Sequence, residues 1–307
     1  MQTSRTASLF PAWRGAEPYL NRVAAVRAAM ADAAAGSAEA VAANPFERFE
    51  AIQASQPPYA GYTHVSPAMR EAIGRVPAAV REQYFRALLL WHIERIESRF
   101  ATSGFPEEFL LQIADSVHRI LDQILADAQW ADPAKDSFMK DLGIVRLSVI
   151  PAVAQVIYPF AGIPKAQVLG GGPRAWAYVA QCGGFKPFLE IHTHAPMIGA
   201  YFNPEGWNET YRLATLLYAA FPHARGMLGT SWFYDPQLIE FSPRLAYLQT
   251  LPLENGACRL RAGAGPDVTS TATATSSTRR ALVEAGKYRP RSYAMVWSKA
   301  AMQRLRP

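Results

Sequence analysis

The segment F-L-E-I-H-T-H-A-P, from Phe188 to Pro196, sets a carboxylate and two imidazoles at alternate positions: Glu190, His192 and His194. Side chains of a strand alternate between its two faces, so these three share a face with Phe188 while Leu189, Ile191 and Thr193 point the other way. Burying three ionisable groups costs free energy unless they are paired, metal-bound or open to a cavity. The row therefore marks either a reactive face or the solvated side of an edge strand. Two chemistries suit a reactive face. A histidine beside a carboxylate acts as a general base toward an amine or hydroxyl, because the carboxylate fixes its tautomer. Alternatively, His192 and His194, with Glu190 or the distant His223, hold a divalent metal such as iron or zinc, since H-x-H on one strand face offers two imidazoles to one ion.

The elements that must position this row are a strand, a helix and a second strand between Lys186 and Leu238. After the first strand, P-E-G-W-N-E-T-Y-R-L-A-T-L-L-Y-A-A-F-P gives a helix from Pro204 with Trp207, Tyr211, Leu213, Leu217 and Phe221 among its apolar positions, closed by Pro222. G-M-L-G-T-S-W-F-Y-D-P-Q-L follows as the second strand, turning at Asp235-Pro236 into a helical piece around Leu238 to Leu248. Asn255 to Ser277, rich in Gly, Ser, Thr and Ala, reads as a mobile loop, a lid or a tolerated insertion. Thr278 to Ala285 reads as a short helix ended by Gly286, and Arg291 to Lys299 as a last strand.

The first half of the chain has helical patterning. An Ala-rich run spans Pro18 to about Ala43, and Val76 to Phe100 brings Phe85, Leu89, Ile93, Ile96 and Phe100 onto one helical stripe. Glu107 to Asp127 repeats the pattern through Leu110, Ile113, Val117, Leu121 and Ile124, as an antiparallel neighbour. His92, Glu94 and Glu97 on the first, with Asp115, His118 and Asp122 on the second, have the spacing of half a carboxylate-bridged di-iron site or of a solvated helix face. From Leu142 to Phe160 the chain is almost continuously apolar, with Pro151 and Pro159 breaking it into a buried connection between the halves.

The chain has 307 residues, 50% hydrophobic and 18% charged, with a net charge of +6. The basic residues form no run with interleaved aromatics, so nucleic acid is not an expected partner, while an acidic small molecule such as a phosphate-bearing one suits the charge. The two cysteines, Cys182 and Cys258, have no metal or redox spacing and read as free thiols of a reducing compartment. The first residues carry no apolar leader and no stretch reaches membrane-spanning length, which gives a cytoplasmic reading without a membrane partner. A homodimer is compatible with the sequence.

Gln167, Gly170 and Gly172, in Q-V-L-G-G-G, have the Q-x-x-G-x-G spacing with which GNAT acetyltransferases present backbone N–H groups to a pyrophosphate. The following W-A-Y-V-A-Q alternates as a strand would, over Ala175 to Gln181, so the glycines serve either as a cofactor loop or as a flexible connection.

L-E-I-H at Leu189 to His192, F-P at Phe221-Pro222, S-W-F-Y-D-P-Q-L at Ser231 to Leu238 and T-R-R-A-L-V-E-A-G-K-Y-R at Thr278 to Arg289 resemble a bacterial acyltransferase family with a helical N-terminal region and a GNAT-like C-terminal domain. The resemblance covers roughly residues 186–304. It departs from the family at Thr193-His194, where an Ile-Pro pair is expected. It implies acyl transfer from a CoA thioester, with Glu190, His192, Ser231, Trp232 and Asp235 on the matching positions. His192 would serve as base with Glu190, and Ser231 as donor to a developing oxyanion. Trp232, Asp235 and Trp207 are assigned to the substrate, although Asp235 also suits a helix cap and Trp232 the core.

The expected fold is α+β, a helical half over 1–145 followed by a GNAT-like mixed α/β domain over 146–307. The expected function is transfer of an acyl group from acyl-CoA to an amine or hydroxyl of a small molecule. A metal-dependent enzyme built on His192, His194 and Glu190 is the alternative.

Overall fold

The computed structural model describes residues 19–30, 38–126 and 129–305. Met1 to Pro18, read above as lacking an apolar leader, lies outside them, as does 31–37 within the Ala-rich run. The chain forms two compact units, Met1–Ala152 and Val153–Pro307. Its class is α+β. Among the described residues no helix is long and apolar enough to cross a membrane.

The first unit is helical until its last residues. Its core comes from the stripes legible in the sequence: Phe85, Leu89, Ile93 and Ile96 meet Ile113, Val117, Leu121 and Ile124 in fully buried packing. The run from Val76 to Phe100 is not one helix, however. A single 3₁₀ turn over Ala78–Val80 leads into Arg81–Ile93, and the chain restarts as Ile96–Ser103 after a break at Glu94 and Arg95. Gly104, at φ +71°, closes that second piece in the left-handed conformation glycine tolerates. Phe109–Ala126 is continuous, as its spacing predicts. The apolar run after Leu142 resolves into the end of helix Asp136–Val145 and strand β1 (Ile150–Ala152), with β2 (Gln155–Ala161) opening the second unit.

In the second unit five strands run in the order β2, β3 (Phe188–Thr193), β4 (Gly226–Ser231), β6 (Ser292–Ser298), β5 (Cys258–Gly263). Neighbours are antiparallel except β3 and β4, which run parallel with Leu189, Glu190 and Ile191 opposite Met227, Leu228 and Gly229. Parallel neighbours need a crossover, supplied by helix Pro204–Leu216. Asn203 starts that helix by accepting the Gly206 N–H at 2.8 Å. Pro159, which has no N–H to give a ladder, sits where the β2–β3 register shifts between Tyr158 and Ala161.

Two sequence expectations fail here. Ala175 to Gln181 is helix, not strand, within Gly172–Gln181. Its inward residues, Ala175 and Val179, recur at four and join Val168, Phe188, Leu228, Val296 and Leu260 in one cluster over a sheet face. The alternation of Trp176 and Tyr178 misled because Trp176 is exposed and takes no part in that face. Likewise Asn255 to Ser277 is not a loop but holds β5 and the helix Pro266–Thr273.

Candidate active site

The parallel pair decides where a site can form. At the carboxyl ends of parallel strands the chain leaves in two directions, and the crevice between the departing segments is the usual place for a ligand. After β3 the chain turns through helix Ala195–Tyr201, and after β4 through the 3₁₀ turn Trp232–Tyr234. Between them lies a cavity of about 540 Å³. Ile198 and Phe202 come from the first segment, Trp232 and Phe233 from the second, and Arg244, Tyr247, Thr271 and Arg279 from later elements.

Its walls are largely aromatic, and its charged groups, Arg244 and Arg279, are both cationic. The Phe233 ring stands 4.3 Å from Trp232 and 5.2 Å from Phe202, which in turn meets Trp207 at 5.9 Å. The Arg279 guanidinium lies 4.7 Å from the Trp232 ring centroid, and its Nε donates to the Ala272 carbonyl at 2.6 Å. Burial pulls its pKa below the usual arginine range, and the nearby Arg244 lowers it further. A buried Arg279 and an exposed Arg244 in one lining favour an anionic ligand. Tyr247 leaves its buried hydroxyl without a protein hydrogen bond, so the wall also has polar capacity to spare.

Glu190 and His192 lie on β3 and neither lines the cavity: their face of the sheet is opposite the one on which Trp297 meets Tyr211 and, through Trp207, the cavity residue Phe202. They share the face that carries Phe188, and His192 Nε2 stands 3.3 Å from Glu190 Oε2. About a quarter of each side chain reaches solvent, 26% for His192 and 23% for Glu190. The strand thus sets a partly exposed imidazole beside a carboxylate, with the Nε2 atom that faces Glu190 itself buried.

The other expected residues separate from this pair. Ser231 alternates onto the opposite sheet face, opposite Tyr293, and its Oγ accepts the Phe233 N–H at 3.2 Å as the cap of the 3₁₀ turn. Asp235 is buried and structural: its carboxylate accepts the N–H groups of Gln237 at 3.1 Å and Arg291 at 2.9 Å, and the Tyr288 hydroxyl at 3.4 Å. Trp207 is core, 1% exposed, and lies one ring behind the cavity wall. Of the three residues assigned to the substrate, only Trp232 lines the cavity.

The metal alternative is not assembled. His194 lies one residue beyond β3, buried at the start of helix Ala195–Tyr201, with its carbonyl accepting the Met197 N–H at 2.9 Å. His223 stands before the amino end of β4, at the other end of the sheet. Among the described residues no three His, Cys, Asp or Glu side chains group as metal ligands. That holds in the helical unit too, where Glu94 pairs with Arg27 and Asp122 with Arg22.

Gln167, Gly170 and Gly172 do not lie in one open loop. Gln167 and Gly170 belong to helix Lys165–Gly170, and the Gly171 N–H is committed to the Gln167 and Val168 carbonyls at 3.1 Å each. Gly172, at φ +69°, joins this helix to the next, and both cover the sheet. Sequence reasoning missed Arg244 and Tyr247, which stand in no motif. Arg279 was within reach, since it is the first arginine of the T-R-R element.

No protein family and no curated protein matches the chain. Among solved structures it is similar to an acyltransferase in complex with decanoyl-CoA, at 17% identity and a TM-score of 0.47, over 81% of this chain and 82% of that one. It is also similar to an acyltransferase in complex with CoA and 10C-teicoplanin, at 17% identity and a TM-score of 0.49, over 96% and 90% of the two chains.

Proposed function

We propose that the second unit is an acyltransferase that moves an acyl group from a CoA-type thioester to an amine or hydroxyl of a small molecule. One observation carries this reading. Beyond the carboxyl ends of the parallel strands β3 and β4 opens an aromatic cavity of about 540 Å³ lined by Arg244 and Arg279, and β3 itself carries the His192–Glu190 pair, 3.3 Å apart. The GNAT-like resemblance of the sequence is consistent with the parallel β3–β4 pair at the sheet's centre.

Glu190 holds the imidazole, and His192 takes the proton of the acceptor as its nitrogen or oxygen attacks the thioester carbonyl. A C–N or C–O bond forms and the C–S bond breaks. The proton returns from the imidazolium to the departing thiolate. The anionic part of the donor lies against Arg244 and Arg279 rather than the glycines of Gln167 to Gly172. Asn203 and Pro204 also line the cavity, at the start of the 13-residue helix Pro204–Leu216. Trp232 and Phe233 offer apolar surface to the acyl chain or pantetheine arm.

Calorimetric titration of the full chain with decanoyl-CoA tests this. A single saturable site that weakens in Arg244→Gln and persists in His192→Gln is expected. Absence of binding, or binding indifferent to Arg244, contradicts it.

A further inference from the structure

A second cavity, of about 490 Å³, opens at the opposite end of the sheet, where β3 and β4 begin and β6 ends. Its charged or chargeable lining groups are Arg225, Lys299 and His223, with Gln181, Ser298 and Gln303 adding neutral polar groups and no carboxylate among them. Neither Arg225 nor Lys299 has an ion-pair partner among the described residues. Like charges held together cost free energy unless a counter-charge offsets them.

Both cations are held in place through backbone carbonyls rather than left to sweep solvent. Arg225 Nε donates to the Lys186 carbonyl at 2.7 Å, and Lys299 Nζ to the Pro222 carbonyl at 2.9 Å beside the Tyr218 ring. The two residues are tied directly, because the Lys299 N–H donates to the Arg225 carbonyl at 2.8 Å. The guanidinium lies against Gly183 and Gly184, both at positive φ, and a Cβ on Gly183 would come within 2.3 Å of Nη1. Glycine there leaves room for the arginine. Cys182 also lines the cavity, but burial and the neighbouring Cys258 push its thiol up to about 11 despite Arg225, so no thiolate nucleophile is offered at neutral pH.

We infer that this cavity is an anion site for the phosphate group of a small molecule, gripped by Arg225 and Lys299 with hydrogen bonds from Gln181, Gln303 or His223. Pre-positioned, charge-assisted donors at one pocket are the means by which proteins hold phosphate. The site is independent of the acyl-transfer reading, since the two cavities share no residue.

Calorimetric titration of the full chain with sodium phosphate, against sodium chloride of equal ionic strength, tests it. A saturable event is expected that Lys299→Met weakens at least tenfold and Arg225→Gln abolishes, while Arg244→Gln in the other cavity leaves it unchanged. Because Arg225 also secures the Lys186 carbonyl, Gln303→Glu serves as a second probe. It sets a carboxylate on an exposed lining residue and should weaken phosphate at least tenfold without touching that bond. Heats that do not saturate, or an affinity unmoved by both Lys299→Met and Gln303→Glu, overturn the assignment.

Discussion

His92 in the first unit and His192 in the second each stand beside a glutamate, and the similarity ends there. His92 Nε2 lies 3.6 Å from Glu50, with none of its side chain exposed. Arg99 Nη1 reaches its Nδ1 at 2.8 Å, and Arg146 holds Glu50 at 2.7 Å. Burial, then Arg99, Arg146 and Arg95, push the imidazole down to about 2, so it stays neutral and serves packing. His192 has a glutamate at 3.3 Å and 26% of its side chain exposed. A histidine beside a carboxylate is a useful base only where a proton can arrive and leave, and burial among arginines removes that condition. The same contrast holds for cations. Arg119 is spent on the fully buried Asp141, whereas Arg244 and Arg279 meet a cavity.

Substitution should separate the two histidines most sharply. His192→Ala should lower acyl transfer roughly 10²- to 10⁴-fold, the span of general acid–base catalysis, with unfolding midpoints unchanged. His92→Gln should leave transfer within a few-fold and move the unfolding midpoint instead. Equal loss of activity in both would erase the contrast. Breaking a structural pair in the first unit comes next: Asp141→Asn leaves Arg119 facing an uncharged partner and should cost about 3 kcal/mol by denaturant titration. A loss too small to measure would mean that the helical unit does not depend on its buried charges.

A smaller effect is expected at the cavity, where Arg244→Gln should weaken decanoyl-CoA roughly tenfold, as loss of one charge-assisted contact does. The most gradual test is pH. His92 is held at about 2 and His118, lowered by burial and then Arg22, at about 4. Between about pH 6.5 and 4 only the unfolded chain binds these protons, so stability should fall with falling pH by about 1.4 kcal/mol per unit for each. His118 stops contributing below about 4, and His92 continues to about 2. In His92→Gln the slope should halve, and a flat profile in the wild type would contradict the burial of both.

Period and alternation made much of this legible. The strand carrying Glu190 and His192, the crossover helix and the stripes through Phe85 and Ile113 follow from side-chain direction alone. What failed involved choices that local sequence does not contain. Trp176 and Tyr178 alternate like strand residues, yet Val168, Ala175 and Val179 make a helical stripe that only the sheet beneath reveals. Glycines with phosphate-loop spacing became helical because Gly171 found carbonyl partners one turn back. Asp235 looked chemical in its motif, but its oxygens are consumed by the N–H groups of Gln237 and Arg291, the second 56 residues away. The cavity residues Arg244 and Tyr247 converge from separate turns, and no one-dimensional spacing records that.

The central claim is that His192, not His92, is the working base. Its most direct test is acyl-CoA-dependent thiol release with a panel of small primary amines and alcohols, measured for wild type, His192→Gln and His92→Gln. Release that requires an acceptor, survives in His92→Gln and falls at least 100-fold in His192→Gln is the predicted result. Release undiminished in His192→Gln would contradict the account.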